Sequence, residues 1–270
     1  MTLSSIFFLF LTHLGIGLAF TLLFVSREAG VKFFRFNTGL AAVLLAIGFV
    51  FRPDTPPGPL ETLGTAALGI AGLALVVYWA TVGRMWVKVR PVLLPLTVAA
   101  GSVAIVAQAL AAPVHGSIPS ALSTVLVIAS FMSSAALLGG ACGAMILGHW
   151  YLVIPSLDVA HLQSVTRLHI VSTMVRVVVV TAVVFLAITT WQPGLGPSFA
   201  RYAMSTSGIF LWQRVLFGLA GPVVLSYLVW ETAKIRSTQS ATGILYVDFF
   251  TVVVGEVLAK YVLLATAVPV

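Results

Sequence analysis

The sequence is poor in charge and in cysteine. Only 8% of its 270 residues are charged, whereas a soluble domain carries roughly 25%. This composition excludes a water-soluble globule. The single cysteine, Cys142, excludes an internal disulfide and an all-cysteine metal cluster. Neither an H-E-x-x-H nor a C-x-x-C motif occurs, so no metal site is predicted.

Hydrophobic residues make up 60% of the chain, enough for about eight helical spans of about 20 residues each. Only helices and closed barrels satisfy the backbone in lipid, and the runs are too long for barrel strands. We therefore predict an all-α polytopic bundle of about eight helices, forming one transmembrane domain over residues 1–270. The apolar runs lie near 4–26, 37–52, 62–82, 91–112, 121–153, 162–191, 208–230 and 240–267.

The net charge of +7 does not indicate a nucleic-acid partner, because the basic residues lie between apolar runs. In that position they set the orientation of the chain in the membrane. Cytoplasmic loops carry an excess of Lys and Arg. The second, fourth and sixth loops hold only Arg52 and Arg201, so both termini are expected outside, with the chain in the cell's inner (cytoplasmic) membrane. The first segment lacks a basic n-region and is expected to be a retained span. The odd-numbered loops hold Arg27, Lys32, Arg35, Arg84, Lys88, Arg90, Arg167, Lys234 and Arg236.

The last span contains three ionisable residues. An ionised residue at mid-helix costs roughly 2.5–3.5 kcal/mol, so each requires a reason. Glu256 and Lys260 are four residues apart and can pair on one helix face. They form either a self-neutralised structural pair or a proton-transfer or substrate-binding site. Asp248 lies about two turns nearer the cytoplasm without a partner in its own turn, and it is a functional candidate.

The sixth span carries a polar stripe that we expect to face the bundle. His169, Thr173 and Arg176 are spaced by four and three residues, which places them on one face. No acidic residue shares that face. Arg176 must therefore look across the bundle, toward a carboxylate on another helix or toward a polar ligand such as a quinone carbonyl or a cofactor propionate.

Histidines supply the remaining candidates. His149 and His169 lie on consecutive antiparallel spans near the cytoplasmic side, where they could ligate one b-type haem, hydrogen-bond a quinone or relay protons. His13 lies in the outer half of the first span, at a depth comparable with Glu256. Gly139 and Gly143 form a G-x-x-x-G pattern, which is typical of close helix packing.

The final helix reads Gly255-Glu256-Val257-Leu258-Ala259-Lys260-Tyr261. With eight spans, outside termini and intramembrane His and acidic residues, the chain resembles the NrfD/DmsC-type quinone-interacting membrane anchor subunits. Lys260 matches a basic residue that often follows the Glu by four positions in that family. The resemblance implies a quinone or menaquinone ligand, no redox centre in the chain itself, and partner subunits that carry iron–sulfur clusters or haem.

Two places for a quinone follow from these residues. The first, in the cytoplasmic half, would be lined by His149, His169, Arg176 and Asp248. The alternative, in the outer half, would use Glu256 and Lys260 with His13. Three other functions remain open on sequence grounds: a proton-coupled secondary transporter, a b-type cytochrome with His149 and His169 as ligands, and a structural membrane subunit.

Overall fold

A computed structural model describes residues 3–53, 58–83, 90–112, 121–154, 157–191 and 198–270. In these parts of the chain, eight helical segments are long and apolar enough to cross a membrane, which confirms the predicted all-α polytopic fold. The helices are α1 (Leu3–Leu22), α2 (Gly30–Val50), α3 (Pro59–Thr81), α4 (Arg90–Ala111), α5 (Ala121–Val153), α6 (Val159–Thr189), α7 (Phe199–Ala203), α8 (Ile209–Val215), α9 (Gly221–Lys234) and α10 (Thr238–Thr266).

The seventh span is interrupted. It covers Thr206–Lys234 and joins α8 to α9 through a π-helical turn, Leu216–Ala220. Gly221 and Pro222 follow that turn at the start of α9. Single π turns within helices frequently occur at functional sites because they change which residues face a neighbour.

The second span begins ten residues earlier than the predicted run of 37–52, because it covers Arg27–Val50. Lys32 and Arg35, expected in the first loop, therefore lie within α2. Lys32 is exposed, and the guanidinium of Arg35 lies over the Trp79 ring, 5.2 Å from its centroid. Long basic side chains can extend toward water while the helix backbone continues. The length of the apolar run therefore underestimates the length of the helix.

The bundle is centred on α1 and α5. The first span is the most buried of the eight, with 72% of its apolar window inside the protein. It packs against α5 through glycine: a Cβ atom on Gly17 would lie 1.9 Å from the carbonyl oxygen of Ala135, and one on Gly139 would lie 1.9 Å from Gly17. Gly143 faces Thr21 one turn further along. The predicted G-x-x-x-G segment is thus a helix-packing surface.

Helix α5 also separates α6 from α10, since both pack against it as well as against α9. The side of α5 between them carries small residues, including Ser130, Ser133, Ser134 and Gly140. Small side chains leave room for long polar side chains from α6 and α10 to meet across α5.

The first, fifth and seventh loops lie at one end of the bundle. Nε2 of His161, near the start of α6, lies 2.6 Å from a carboxylate oxygen of Glu28 in the first loop. Arg167, in α6, lies over the ring of Trp230 near the end of α9. Most of the described basic loop residues therefore belong to this end.

Candidate functional site

A buried carboxylate on α10 is surrounded by three basic side chains. Glu256 is fully buried. Its Oε1 accepts hydrogen bonds from Nε of Arg176 and Nη2 of Arg214, each at 3.0 Å, and its Oε2 accepts one from Nζ of Lys260 at 2.8 Å. These four residues, together with Ser134 and His13, form the Glu256 cluster.

Ser134 and His13 connect the carboxylate to α5 and α1. The Ser134 hydroxyl donates to Oε2 of Glu256 at 2.5 Å and accepts from Nζ of Lys260. Nδ1 of His13 lies 3.2 Å from the same hydroxyl oxygen. The His13 ring packs edge-on against Phe131 at a centroid distance of 5.3 Å. Five spans therefore contribute to one buried hydrogen-bond network, since Arg176 comes from α6 and Arg214 from the seventh span.

All three guanidinium nitrogens of Arg176 donate hydrogen bonds. Nη1 donates to the carbonyl and hydroxyl oxygens of Ser130, at 2.9 and 2.8 Å. Nη2 donates to the carbonyl oxygen of Val270 at 3.0 Å, and the Ser130 hydroxyl donates to the carbonyl oxygen of Pro269 at 2.6 Å. Residues 269 and 270 thus cover the cluster with two backbone acceptors.

The π-helical turn of the seventh span places Arg214 in the cluster. A Cβ on Gly218 would lie 2.1 Å from Nη1 of Arg214 and 2.8 Å from Cα of Gly255. The two glycines let the seventh span and α10 touch by backbone, which brings the guanidinium to Glu256. Nε and Nη1 of Arg214 have no hydrogen-bond partner within the described ranges.

The side chains of the cluster carry unequal charge. Arg176, Arg214 and Lys260 can each be positive, whereas Glu256 is the only acidic side chain paired with them in the part of the chain that the structure describes. Buried charges are normally paired or bound to a ligand, because an uncompensated one is costly. The cluster is therefore a site at which further acceptors would be stabilised.

A small cavity opens beside the cluster. It is lined by His13, Ser134, Arg176, Lys260 and Val270, among others. The centre of a water molecule can occupy about 20 Å³ of it, which is sufficient for one ordered water.

A second buried acid–base pair lies nearer the end that carries the odd-numbered loops. Nε2 of His169 on α6 is 2.6 Å from Oδ2 of Asp248 on α10, and both side chains are fully buried. The atoms are in ion-pair range without hydrogen-bond alignment. Nδ1 of His169, Oδ1 of Asp248 and the Thr166 hydroxyl have no partner among the residues described. The spacing of seven residues to Arg176 and eight to Glu256 places this pair about 10–12 Å from the Glu256 cluster.

The structure divides the predicted residues differently from the sequence-based grouping. The Glu256–Lys260 pair and its association with His13 are present. Arg176, expected beside His169, joins that outer group instead, because a carboxylate across the bundle is available to it at Glu256. His169 pairs with Asp248.

His149 lies apart from both buried sites. It is exposed, and its Nδ1 is 2.8 Å from the hydroxyl oxygen of Tyr246. His169 packs beside Gly140, nine residues before His149 on α5 and therefore about 13 Å away along the axis. The two histidines do not face each other as a pair of axial haem ligands would.

Arg214 and Ser130 were assigned no role from the sequence, although Arg214 donates to Glu256 and Ser130 accepts from Arg176. The signal that was missed is a charge imbalance: the sixth to eighth runs hold four basic residues, Arg167, Arg176, Arg214 and Lys260, and only two acidic ones. That excess predicts shared carboxylates.

Comparisons with known proteins leave the geometry as the basis for a functional argument. No protein-family model matches the chain, and no curated protein sequence matches it.

Proposed function

We propose that this multi-pass membrane protein is the quinone-interacting anchor subunit of a multisubunit electron-transfer complex, with the Glu256 cluster as its quinone site. The observation that supports the proposal is the grouping of hydrogen-bond donors and protonatable side chains inside an apolar bundle. Quinone reduction requires a donor to a carbonyl oxygen and a proton source. Lys260 offers the first through its third N–H, and His13 offers the second.

The donors suit a quinone carbonyl, but the cavity beside them is too small for a ring. Ligand pockets commonly measure about 300–1,000 Å³, whereas this cavity holds a group of water size. Residues 269 and 270 line it and supply carbonyl oxygens to Ser130 and Arg176. In our proposal, a quinone head group binds when this segment moves and releases those donors.

We further propose that the end with the odd-numbered loops faces the cytoplasm and that both termini lie outside. The excess of Lys and Arg in those loops supports this orientation. Reporter fusions after Arg236 and after Val270 are expected to report opposite sides, cytoplasmic and external respectively. A cytoplasmic signal at Val270 would contradict the orientation.

Purification of the tagged full chain from its native membranes tests the function. We expect co-purifying subunits that carry iron–sulfur clusters or haem, and quinone-dependent electron transfer by the assembly. Lys260→Gln should lower quinone-dependent turnover about tenfold or more, since a hydrogen bond from a charged donor contributes about 1.5–3 kcal/mol. Lys260 is preferable to Arg176, because loss of Arg176 would break contacts with α5, α10 and residue 270.

The matched control is Lys234→Gln, which removes an exposed lysine that pairs with Glu231 at 2.7 Å. This variant should keep wild-type turnover. Both variants should retain turnover with a water-soluble artificial electron carrier and the same co-purifying subunits. A chain that purifies without redox partners and binds no quinone would contradict the proposal.

A proton-coupled transporter is the second candidate, favoured by a specific observation. The seventh span contains a π-helical turn directly before Gly221 and Pro222, and interrupted helices beside buried charges are typical of transporter sites. Proton-driven uptake of a substrate by vesicles containing only this chain would favour that function over the anchor subunit.

A further inference from the structure

Gln108 of α4 interacts with two consecutive residues of α1. Its Nε2 lies 3.5 Å from the hydroxyl oxygen of Thr12, and its side chain hydrogen-bonds to the His13 ring. Nδ1 of His13 lies beside the Ser134 hydroxyl, so Nε2 is the ring nitrogen that remains for Gln108. Nε2 of His13 and Oε1 of Gln108 are both buried, and neither has another partner among the described residues. The two atoms therefore complete each other's hydrogen bonding.

The hydroxyl of Thr12 fixes the orientation of the Gln108 amide. Thr12 donates its only proton to the carbonyl oxygen of Phe8 at 2.8 Å, so its oxygen can only accept from Gln108. The NH₂ group of the amide must therefore point to Thr12, which leaves Oε1 for His13. Because an amide oxygen only accepts, its contact with the ring is satisfied when Nε2 of His13 carries a proton.

A proton on Nε2 determines what the other ring nitrogen can do. A neutral His13 then has a bare Nδ1, which accepts the hydroxyl proton of Ser134. A protonated His13 donates from Nδ1 instead, and the hydroxyl of Ser134 donates to Glu256. Lys260 donates to the Ser134 oxygen in both states. The Ser134 hydroxyl therefore turns between His13 and Glu256 as His13 loses or gains a proton.

We propose that Gln108 is a positioning residue: it holds the neutral His13 with its proton on Nε2, which leaves Nδ1 to exchange protons through Ser134. The exchange rests on the role of His13 as a proton source in the proposed function. When Lys260 gives a proton to a bound quinone, Ser134 passes its hydroxyl proton to Nζ of Lys260. Ser134 then takes the Nδ1 proton of His13. Lys260 regains its charge, Ser134 keeps one proton, and His13 becomes neutral.

The other groups around His13 do not replace Gln108. The charged groups that face the ring belong to the Glu256 cluster: they are Glu256 and Lys260 from α10 and Arg176 from α6. Phe131 of α5 packs edge-on against the ring, and α2 presents the apolar side chain of Leu45 at this level of α1. Within the described part of the chain, Gln108 is therefore the acceptor available to Nε2.

Nitrogen-15 NMR of the full chain, purified with labelled histidine, tests the tautomer without any quinone. Protonated and bare ring nitrogens give separate signals, and couplings to the ring C–H protons distinguish Nδ1 from Nε2. The signals of His13 are those lost in His13→Gln. At about pH 8, above the ordinary range of histidine titration, the neutral ring of the wild-type chain should carry its proton on Nε2.

Gln108→Met is the informative variant, because methionine keeps the length of the side chain and removes the amide oxygen. A proton on Nε2 of His13 would then be a buried donor without a partner, whereas a proton on Nδ1 can donate to Ser134. The proton should therefore move to Nδ1. The matched control is Gln163→Met, which removes an amide that donates to the carbonyl oxygen of Ala233 at 3.3 Å. This control should leave the proton of His13 on Nε2.

Two results with the wild-type chain would overturn the proposal: a neutral His13 with its proton on Nδ1, or a ring that stays doubly protonated at about pH 9. A third is a proton that remains on Nε2 in Gln108→Met. The wild-type spectra decide the question even if that variant does not fold. They require no turnover, so failure of the proposed function, seen as a wild-type chain without quinone activity, is distinguished from failure of this inference.

A double variant tests whether Gln108 acts through His13. Gln108→Met should lower quinone-dependent turnover about tenfold or more, because the proton-donating nitrogen is no longer the one beside Ser134 in the correct state. Added to His13→Gln, the same substitution should cause no further loss. An equal further loss in both backgrounds would show that Gln108 acts independently of His13 and would overturn the positioning role.

Discussion

Two buried sites lie one above the other between α6 and α10, and they differ in charge. In the His169–Asp248 pair, one histidine meets one carboxylate, and the pair can be neutral. In the Glu256 cluster, three basic side chains share a single carboxylate. Both sites use the same two helices at nearly the same spacing. The difference therefore comes from Lys260, one turn further along α10, and from the neighbouring helices.

Each neighbour contributes a specific element. Helix α5 presents a glycine, Gly140, beside His169, but serines beside Arg176 and Glu256. The seventh span adds Arg214 to the Glu256 cluster through its π-helical turn and the contact between Gly218 and Gly255. The comparison teaches that a matched acid–base pair needs only the two helices that carry it. Additional donors from other helices make a site that can bind a ligand.

The largest effect is expected from Glu256→Gln. This substitution leaves three buried basic groups without their carboxylate, and breaking a buried ion pair costs about 3–5 kcal/mol. We expect a much lower thermal unfolding midpoint in detergent, or loss of folded protein. Glu231→Gln, at an exposed ion pair, is the matched control and should unfold like the wild type. Wild-type stability of Glu256→Gln would remove the difference between the two sites.

The next largest effect is expected from Gly218→Ala. The added methyl group would overlap Cα of Gly255 and the guanidinium of Arg214, and overpacking costs about 1–3 kcal/mol. Gly140→Ala is the counterpart at the other site, where a Cβ would lie 3.4 Å from His169, an ordinary contact. Its unfolding midpoint should change little. Equal losses in the two variants would contradict the tighter packing of the Glu256 cluster.

Asp248→Asn is expected to have a smaller effect than Glu256→Gln. Only one basic side chain loses its partner here, so the expected cost is that of an unsatisfied buried polar group, about 1–3 kcal/mol. A double-mutant cycle with His169→Gln should give a coupling energy that shows direct pairing. If Asp248→Asn destabilised the protein as much as Glu256→Gln, the proposed difference between the two sites would be contradicted.

The smallest effect is expected from His149→Ala. This histidine is exposed and contacts only Tyr246 among the described polar side chains, and exposed substitutions usually change stability by less than about 0.5 kcal/mol. Unfolding and quinone-dependent turnover should match the wild type. A loss of turnover would restore His149 to the functional site predicted from the sequence.

Helical spacing alone was sufficient for the local features. Hydrophobic content and run length predicted the eight spans. Helical spacing predicted the pairing of Glu256 with Lys260 and the common face of His169 and Arg176, because these depend on positions within one helix. It also predicted the close packing at Gly139. Each of these follows from the 3.6-residue period and from the requirements of a backbone in lipid.

Contacts between helices could not be predicted in the same way. Whether Arg176 meets Asp248 or Glu256 depends on the relative height of α6 and α10, which α5 sets through its packing on both. The role of Arg214 depends on a π-helical turn that no sequence periodicity indicated. The start of α2 was misplaced because basic residues such as Lys32 interrupt the apolar run without ending the helix.

The most direct test of the central claim is to map where a quinone binds. A photoreactive quinone analogue would be cross-linked to the chain in its purified assembly, and the labelled peptides identified by mass spectrometry. We predict labelling around Lys260 and residues 267–270, prevented by an excess of unlabelled quinone. Competable labelling confined to the peptides that contain His169 and Asp248 would contradict the assignment of the quinone site to the Glu256 cluster.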